Sequence, residues 1–317
     1  MQIVPVRNYF DKLLDASCLT IGNFDGVHRG HAEIFTHLKQ KSLDLGLPSV
    51  VVTFEPHPLK VLAPESAPSL ITTFEQKSTL IEEAGIDCLV VVPFSKEFSL
   101  VSASDFVLNI LCRCLGMRHI IIGHDYAFGR GREGTFSTLA ALGAQNGFSL
   151  EDLPPIGEES VIFSSSLVRS AVSDGDMDAA SRILGRYYQI SGTVVLGREV
   201  GQTLGFPTAN ISTDNELIPS NGVYAVMVSV EGRQVKGACN IGANPTFGGN
   251  KRTIEVFLLD FSGDIYDQRI TVQFVKKLRA ERKFTDVDAL KCAIGDDVAK
   301  VRAVIGRLNA GYLKIND

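Results

Sequence analysis

Gly22-Asn23-Phe24-Asp25-Gly26-Val27-His28-Arg29-Gly30-His31 closes a strand-like run, Cys18–Phe24, and opens a helix-like stretch over 31–45. Three glycines let the backbone turn tightly and approach a ligand closely. The first N–H groups and the dipole of the helix that follows favour an anion. His28 and His31 are three residues apart, so both imidazoles can face that anion from one side. Such groups donate hydrogen bonds to phosphate oxygens and stabilise charge in phosphoryl transfer. Two blander readings compete. A zinc site would need a third and fourth ligand and favours the helical H-x-x-x-H spacing, and the histidines could be incidental. The phosphate reading accounts best for glycines and histidines together.

Outward from this loop, Ser49–Phe54, Cys88–Val92 and His119–Ile122 are nearly all apolar, as in strands covered on both faces. Helix-like stretches lie between them, near 31–45, 75–85, 104–116 and 135–146. This alternation predicts a parallel, doubly wound α/β sheet with ligands at the carboxyl ends of its strands. Two short helices, near 166–173 and 176–184, close the first half, and the pattern changes near 185. Strand-like segments at 187–196, 222–230, 234–241, 253–260 and 269–275, separated by turn signals such as Asn221-Gly222 and Ser262-Gly263-Asp264, predict a small antiparallel barrel. A helix over about 285–309 packs on its outside. No internal repeat is visible.

The chain has 317 residues, enough for two domains, with 45% hydrophobic and 21% charged residues. Net charge is -5; residues 1–185 carry 14 basic and 22 acidic side chains, the remainder 17 and 14. Neither half has the basic stripe of a non-specific nucleic-acid binder. Cysteines 18, 88, 112, 114, 239 and 292 form no C-x-x-C pair and read as reduced thiols. The N-terminus lacks a signal-peptide pattern, and no apolar run approaches the roughly 20 residues of a membrane span. A cytoplasmic protein with small-molecule partners is expected, with neither nucleic acid nor membrane; association into a homo-oligomer is left open.

The second half carries Gly197-Arg198-Glu199-Val200-Gly201-Gln202-Thr203-Leu204-Gly205-Phe206-Pro207-Thr208-Ala209-Asn210. It reads as a tight loop whose amides could cradle a phosphate, with Thr208 and Asn210 offering hard oxygen donors suited to Mg²⁺. By spacing alone it is only a turn. Alternation in Thr253–Asp260 puts Glu255 on one strand face with Phe257, and a strand carboxylate is usually solvent-facing. Ser164-Ser165-Ser166-Leu167-Val168-Arg169 alone is an ordinary helix cap; beside the Gly22–His31 loop it becomes a second anion clamp. The charges of Leu278-Arg279-Ala280-Glu281-Arg282-Lys283-Phe284 could simply solvate a helix start.

Gly22–His31 resembles the G-x-F-D-G-x-H-x-G-H form of the nucleotidylyltransferase signature, typical of prokaryotic bifunctional riboflavin kinase/FMN adenylyltransferases. The likeness covers nearly the whole chain. It implies a Rossmann-like, parallel α/β nucleotidylyltransferase domain at 1–184. A small antiparallel β-barrel riboflavin kinase domain with a C-terminal helix is implied at 185–317. In the first domain it places ATP phosphates at Gly22, Asn23, Phe24, Asp25, Gly26, His28, Gly30 and His31, with Ser164, Ser165, Ser166 and Arg169 as the second phosphate motif. Gly123 and Asp125, in Gly123–Gly129, line the adenine and ribose side. Thr53–Pro58, with Phe54, Pro56, His57 and Pro58, helps form a flavin pocket. The chemistry implied is attack by the FMN phosphate on the α-phosphorus of ATP, releasing pyrophosphate and giving FAD.

In the second domain, Leu204–Asn210 is similar to the L-G-F-P-T-A-N of riboflavin kinases. The resemblance implies ATP contacts at Gly197, Gly201, Gly205 and Pro207, and Mg²⁺ at Thr208 and Asn210. Glu255 aligns with the base that takes the proton of the riboflavin 5′-hydroxyl. Asn221–Tyr224 and Asn240–Phe247 also look like kinase segments, Tyr224 is placed at the flavin, and Arg279 belongs to a flap over flavin and nucleotide. The chain departs from the family pattern at Ala127, where arginine is frequent, at Gln202, where a basic residue is, at Phe257, where histidine is, and at Asp267, where glycine is. Alternatives are a kinase that has lost adenylylation, a phosphopantetheine-type transferase and a non-enzymatic flavin-binding sensor. The second leaves Leu204–Asn210 unexplained, and the third gives no reason for two phosphate clamps.

Overall fold

Successive residues of the apolar strands point to opposite faces of a sheet that is covered on both sides. Leu19, Ile21, Val50, Val52, Val90, Ile120 and Ile122 pack into one buried cluster, whereas Cys18, Val51, Leu89 and Ile121 pack into another. The computed structural model describes residues 1–6, 11–123, 126–158, 161–197, 205–243 and 252–312. It divides into two compact units, Met1–Leu70 with Phe74–Ser165, and Ile71–Thr73 with Ser166–Asp317.

The first unit holds β1 (Gln2–Pro5), β2 (Ser17–Ile21), α1 (Arg29–Leu45), β3 (Ser49–Glu55), the short α2 (Pro58–Leu62), α3 (Phe74–Glu83), β4 (Cys88–Pro93), β5 (Met117–Gly123), α5 (Phe136–Asn146) and β6 (Ser149–Leu153). Between β4 and β5 a single helical turn, α4 (Ala103–Asp105), runs into a π-helical stretch, Phe106–Cys114, where a plain α-helix is expected. The six strands pair in parallel in the order β1-β4-β3-β2-β5-β6. Phe35 and Leu38 of α1 and Ile81 of α3 cover one face; Val107, Ile110 and Leu111 of the π-helix and Leu139 of α5 cover the other. Each such buried side chain contributes about 1.5–3 kcal/mol. Strands run outward in both directions from β2, so the crevice between β2 and β5 is the topological switch point where such sheets bind ligands. A two-residue hairpin, β7 (Gly157–Glu158) and β8 (Val161–Ile162), precedes α6 (Ser165–Asp174).

The second unit contains α7 (Met177–Leu184), packed against β9 (Tyr188–Val195) and β14 (Arg269–Arg279). With β10 (Thr208–Thr213), β11 (Gly222–Val230), β12 (Arg233–Ala243) and β13 (Arg252–Leu258), these strands close an antiparallel barrel in the order β10-β13-β12-β11-β14-β9. Closure leaves no unpaired edge. The helix α8 (Val287–Tyr312) lays Val301 and Ile305 on Ala225 and Leu259, outside the barrel.

The parallel sheet, barrel and terminal helix match the expectation, with three additions. Strands β1 and β6 are short sheet margins without a strong apolar run. The third, β10, corrects the reading of Thr208–Asn210 as loop: Ala209 and Ile211 are buried and alternate with half-buried or exposed neighbours. Asp267 takes φ 60°, a left-handed conformation that glycine adopts freely and that aspartate tolerates better than most residues.

Arg279, at the end of β14, ties the barrel to α8. Its Nε and Nη2 donate to the Asp297 carboxylate at 2.8–3.1 Å, and Asp297 is 3% exposed. Removing one partner of a buried pair leaves an uncompensated charge. Asp297→Ala is therefore expected to destabilise the second unit by about 3 kcal/mol, read as a lower urea midpoint. An unchanged midpoint would remove the pair from the account of barrel stability.

Candidate functional site

The loop after β2 is held in an unusual conformation. The Gly22 amide donates to the Val52 carbonyl at 3.0 Å, and Val27 N–H closes back on the Phe24 carbonyl at 3.2 Å. Phe24 (φ 49°), Gly26 (φ 82°) and Val27 (φ 40°) are all left-handed, a strained state for a β-branched valine. Such strain persists where surrounding structure over-determines it and gathers at ligand sites. Phe24, Asp25, Val27 and His28 are buried; Asn23 and Gly22 are half-buried.

His28 stands at the N-cap of α1 without capping it through its side chain, and the first turn holds no acidic residue. The dipole and leading amides of this 17-residue helix therefore favour an anion. The His28 and His31 rings stack at 3.7 Å, and Phe24 meets His31 edge-on at 5.1 Å. A Cβ on Gly30 would lie 3.0–3.1 Å from the His28 imidazole, so any larger residue there would push that ring by a few tenths of an ångström. The structure thus gathers both histidines beside the loop.

The serine segment reaches the same loop. Ser165 Oγ donates to the Asp25 carbonyl at 2.8 Å, and Ser164 is half-buried just before it. Ser166 and Arg169 continue α6 and count with the second unit. Gly123 ends β5, beside β2, and the Tyr126 amide folds back to its carbonyl at 3.0 Å; Asp125 lies outside the described residues. Arg29, not a predicted site residue, pairs with Glu158 and lies over the Phe163 ring.

Phe54 is half-buried at the end of β3, in ring contact with Phe94, Phe98 and Phe106 at 5.9–6.4 Å. Phe128 and Tyr126 extend the cluster. Single-sequence reasoning found only Phe54, because the other rings come from separate segments. Pro56 follows on the surface. His57 Nδ1 accepts from the Leu59 amide at 3.2 Å and caps α2, whose first residue is Pro58; these two residues shape the turn.

In the second unit the register assembles a polar stripe. Asn210 of β10 and Asn240 of β12 are the direct cross-strand partners of Glu255 on β13. Thr208, two residues before Asn210, lies on the same face and opposite Phe257. Ile254, Val256 and Leu258 take the buried face, which leaves Glu255 half-buried on the outer one. Burial, with the Glu255 charge adding to it, drives the Cys239 thiol far above its ordinary pKa. A Cβ on Gly197 would lie 1.9 Å from Asn210 Nδ2, so the glycine backbone sits directly against that amide. Gly205 is left-handed at φ 85°, Phe206 meets Phe257 edge-on at 5.4 Å, and exposed Pro207 leads into β10. Phe257 also packs against the α8 contact. Gly201 and Gln202 lie outside the described residues. Asn240 is the neighbour of Glu255 that sequence reasoning left out; only the pairing of β12 with β13 exposes it.

Two residues expected at the flavin also make contacts within the barrel unit. Tyr224 is fully buried, its ring edge-on to Phe274 at 5.4 Å and its hydroxyl donating to the Ser220 carbonyl at 2.6 Å. Arg279 is committed to Asp297, as described above.

A switch-point loop at a helix N-terminus, joined to a barrel with a carboxylate between asparagines, defines a two-module class of phosphate-handling enzyme. The FAD synthetase family model matches residues 11–167 and the riboflavin kinase family model residues 184–305. The bifunctional riboflavin kinase/FMN adenylyltransferase of Pseudomonas fluorescens is 42% identical, covering 90% of this chain and 92% of that one. That of Escherichia coli K12 is 39% identical over 95% and 96%. The chain belongs to the bifunctional riboflavin kinase/FMN adenylyltransferase family. A crystal structure described as a macrolide-efflux protein from Streptococcus pneumoniae shares the architecture, with a TM-score of 0.87 and 28% identity over 95% of this chain and 99% of that one. Among the described residues of this chain, no helix is long and apolar enough to cross a membrane.

Proposed function

We propose that this chain makes FAD from riboflavin in two ATP-dependent steps, phosphorylation by residues 185–317 and adenylylation by residues 1–184. The family models, which end at 167 and resume at 184, support that division. In the first step the riboflavin 5′-hydroxyl attacks the γ-phosphorus of ATP, its proton passes to Glu255, and ADP leaves with FMN formed. The observation that carries this step is the register placing Glu255 between Asn210 and Asn240, with Thr208 on the same face.

In the second step a phosphate oxygen of FMN attacks the α-phosphorus of ATP, and pyrophosphate leaves. No covalent enzyme intermediate is required. The α1 N-terminus and the loop at Gly22–Gly26 hold the triphosphate. His28, His31, Ser164 and Ser165 stabilise developing charge, while Gly123 and Asp125 border the nucleoside. Phe54, with Pro56 and the turn at His57 and Pro58, borders the flavin.

The Thr208 hydroxyl and the Asn210 amide oxygen, on one strand face, are hard oxygen donors that fit Mg²⁺. When bound, Mg²⁺ neutralises phosphate oxygens and orients the nucleotide. The proposed compartment is the cytoplasm, consistent with six free cysteines. Purified protein given riboflavin, ATP and Mg²⁺ is expected to form FMN and then FAD, resolved by chromatography. FMN that accumulates without conversion would retire the adenylylation half; no FMN at all would retire the kinase half.

A further inference from the structure

Lys77 is a long cation in an interior position. It lies on α3, is 7% exposed, and reaches the carboxyl ends of two adjacent strands of the first unit. Its Nζ donates to the main-chain carbonyl of Asn23 at 3.4 Å and to Thr53 Oγ1 at 3.3 Å. Thr53 Oγ1 in turn donates to the same Asn23 carbonyl at 3.2 Å. Glu55 stands 3.8 Å away and is 38% exposed, too distant and too wet to account for the buried charge by itself. Burial lowers the lysine pKa, and the charges of Glu55 and Asp25 oppose that shift. Burying an ammonium costs several kcal/mol, whereas methionine would fill the same volume without that cost. Beside its contacts with Thr53, Glu55 and the Phe74 ring, the ammonium adds a grip on one main-chain carbonyl.

That carbonyl belongs to the residue immediately before left-handed Phe24, where the strained loop begins. Thr53 lies on β3, which continues into Phe54 and Pro56. We propose that Lys77 is a positioning residue for adenylyl transfer: it clamps the Asn23 carbonyl to Thr53 and so fixes the ATP-binding loop relative to the flavin segment. This rests on the assignment of FMN adenylylation to the first unit. Alignment of nucleophile and electrophile, rather than affinity for either, is what such a clamp supplies.

Lys77→Met keeps the stem and removes the charge. It is expected to lower kcat for FAD formation from FMN by about 10–100-fold, with KM for ATP and FMN changed less than about threefold. Riboflavin phosphorylation by the same preparation should be unchanged. Thr53→Val should lower the same kcat by a smaller factor, and the double variant should lose no more than Lys77→Met alone, because both act through one carbonyl. A folded Lys77→Met with wild-type kcat overturns the proposal. So does a raised KM with kcat preserved, which would make the ammonium a substrate contact, and so do fully multiplicative losses in the double variant. If Lys77→Met does not fold, Thr53→Val decides, and an unchanged kcat there overturns it too. Wild-type protein that fails to adenylylate FMN sinks the functional reading itself. Active wild type beside unaffected variants sinks only the role of Lys77.

Discussion

Glu255→Gln is expected to stop riboflavin phosphorylation and to leave FAD formation from supplied FMN at the wild-type rate. Glutamine preserves the volume and polarity of the side chain between Asn210 and Asn240, so the barrel register survives. It cannot accept the proton of the attacking hydroxyl. Positioned general bases contribute about 10²–10⁴ in rate, and a loss of that size in kcat is expected. A variant that phosphorylates riboflavin within about threefold of wild type would show that proton removal at Glu255 is not part of the transition state.

His31→Ala is expected to produce the complementary defect, with FMN accumulating and FAD missing. The imidazole stacks on His28 and meets Phe24, so its loss removes a charge-stabilising donor and loosens its neighbour. Removing one preorganised donor from a developing oxyanion costs about 10²–10³ in kcat, and the stacking makes the upper end the expectation. Initial rates of FAD formation from FMN and ATP check it, with riboflavin phosphorylation in the same preparation as the internal control. A His31→Ala protein that adenylylates FMN normally would reassign the ring to packing.

Much of this was legible along the chain because the signals are local. Apolar β-branched runs alternating with amphipathic stretches announce a sheet buried on both faces, and the glycine-rich Gly22–His31 segment announces a helix N-terminus built for an anion. The rest depends on residues that meet only after folding. Strand β10 hides behind Gly205, Phe206 and Pro207, which read as a turn; its strand character comes from pairing with β9 and β13. Asn240 is 15 residues from Glu255 in sequence and directly across the ladder in space. Lys77 sits in a helix whose neighbours Glu75, Glu82 and Glu83 suggest a solvated face, and only the packing of α3 shows the ammonium under the loop. Tyr224 and Arg279 carry contacts that no motif foretells, a hydroxyl on the Ser220 carbonyl and a guanidinium on Asp297.

The two-site account is tested most directly by mixing. Glu255→Gln and His31→Ala proteins, each purified and folded, are incubated together with riboflavin, ATP and Mg²⁺, and FAD is followed by chromatography. The account predicts that neither protein alone turns riboflavin into FAD, and that the mixture does so through FMN released by the His31→Ala chain and adenylylated by the Glu255→Gln chain. A mixture that forms no FAD, or a single substitution that halts both reactions in a folded chain, would contradict it.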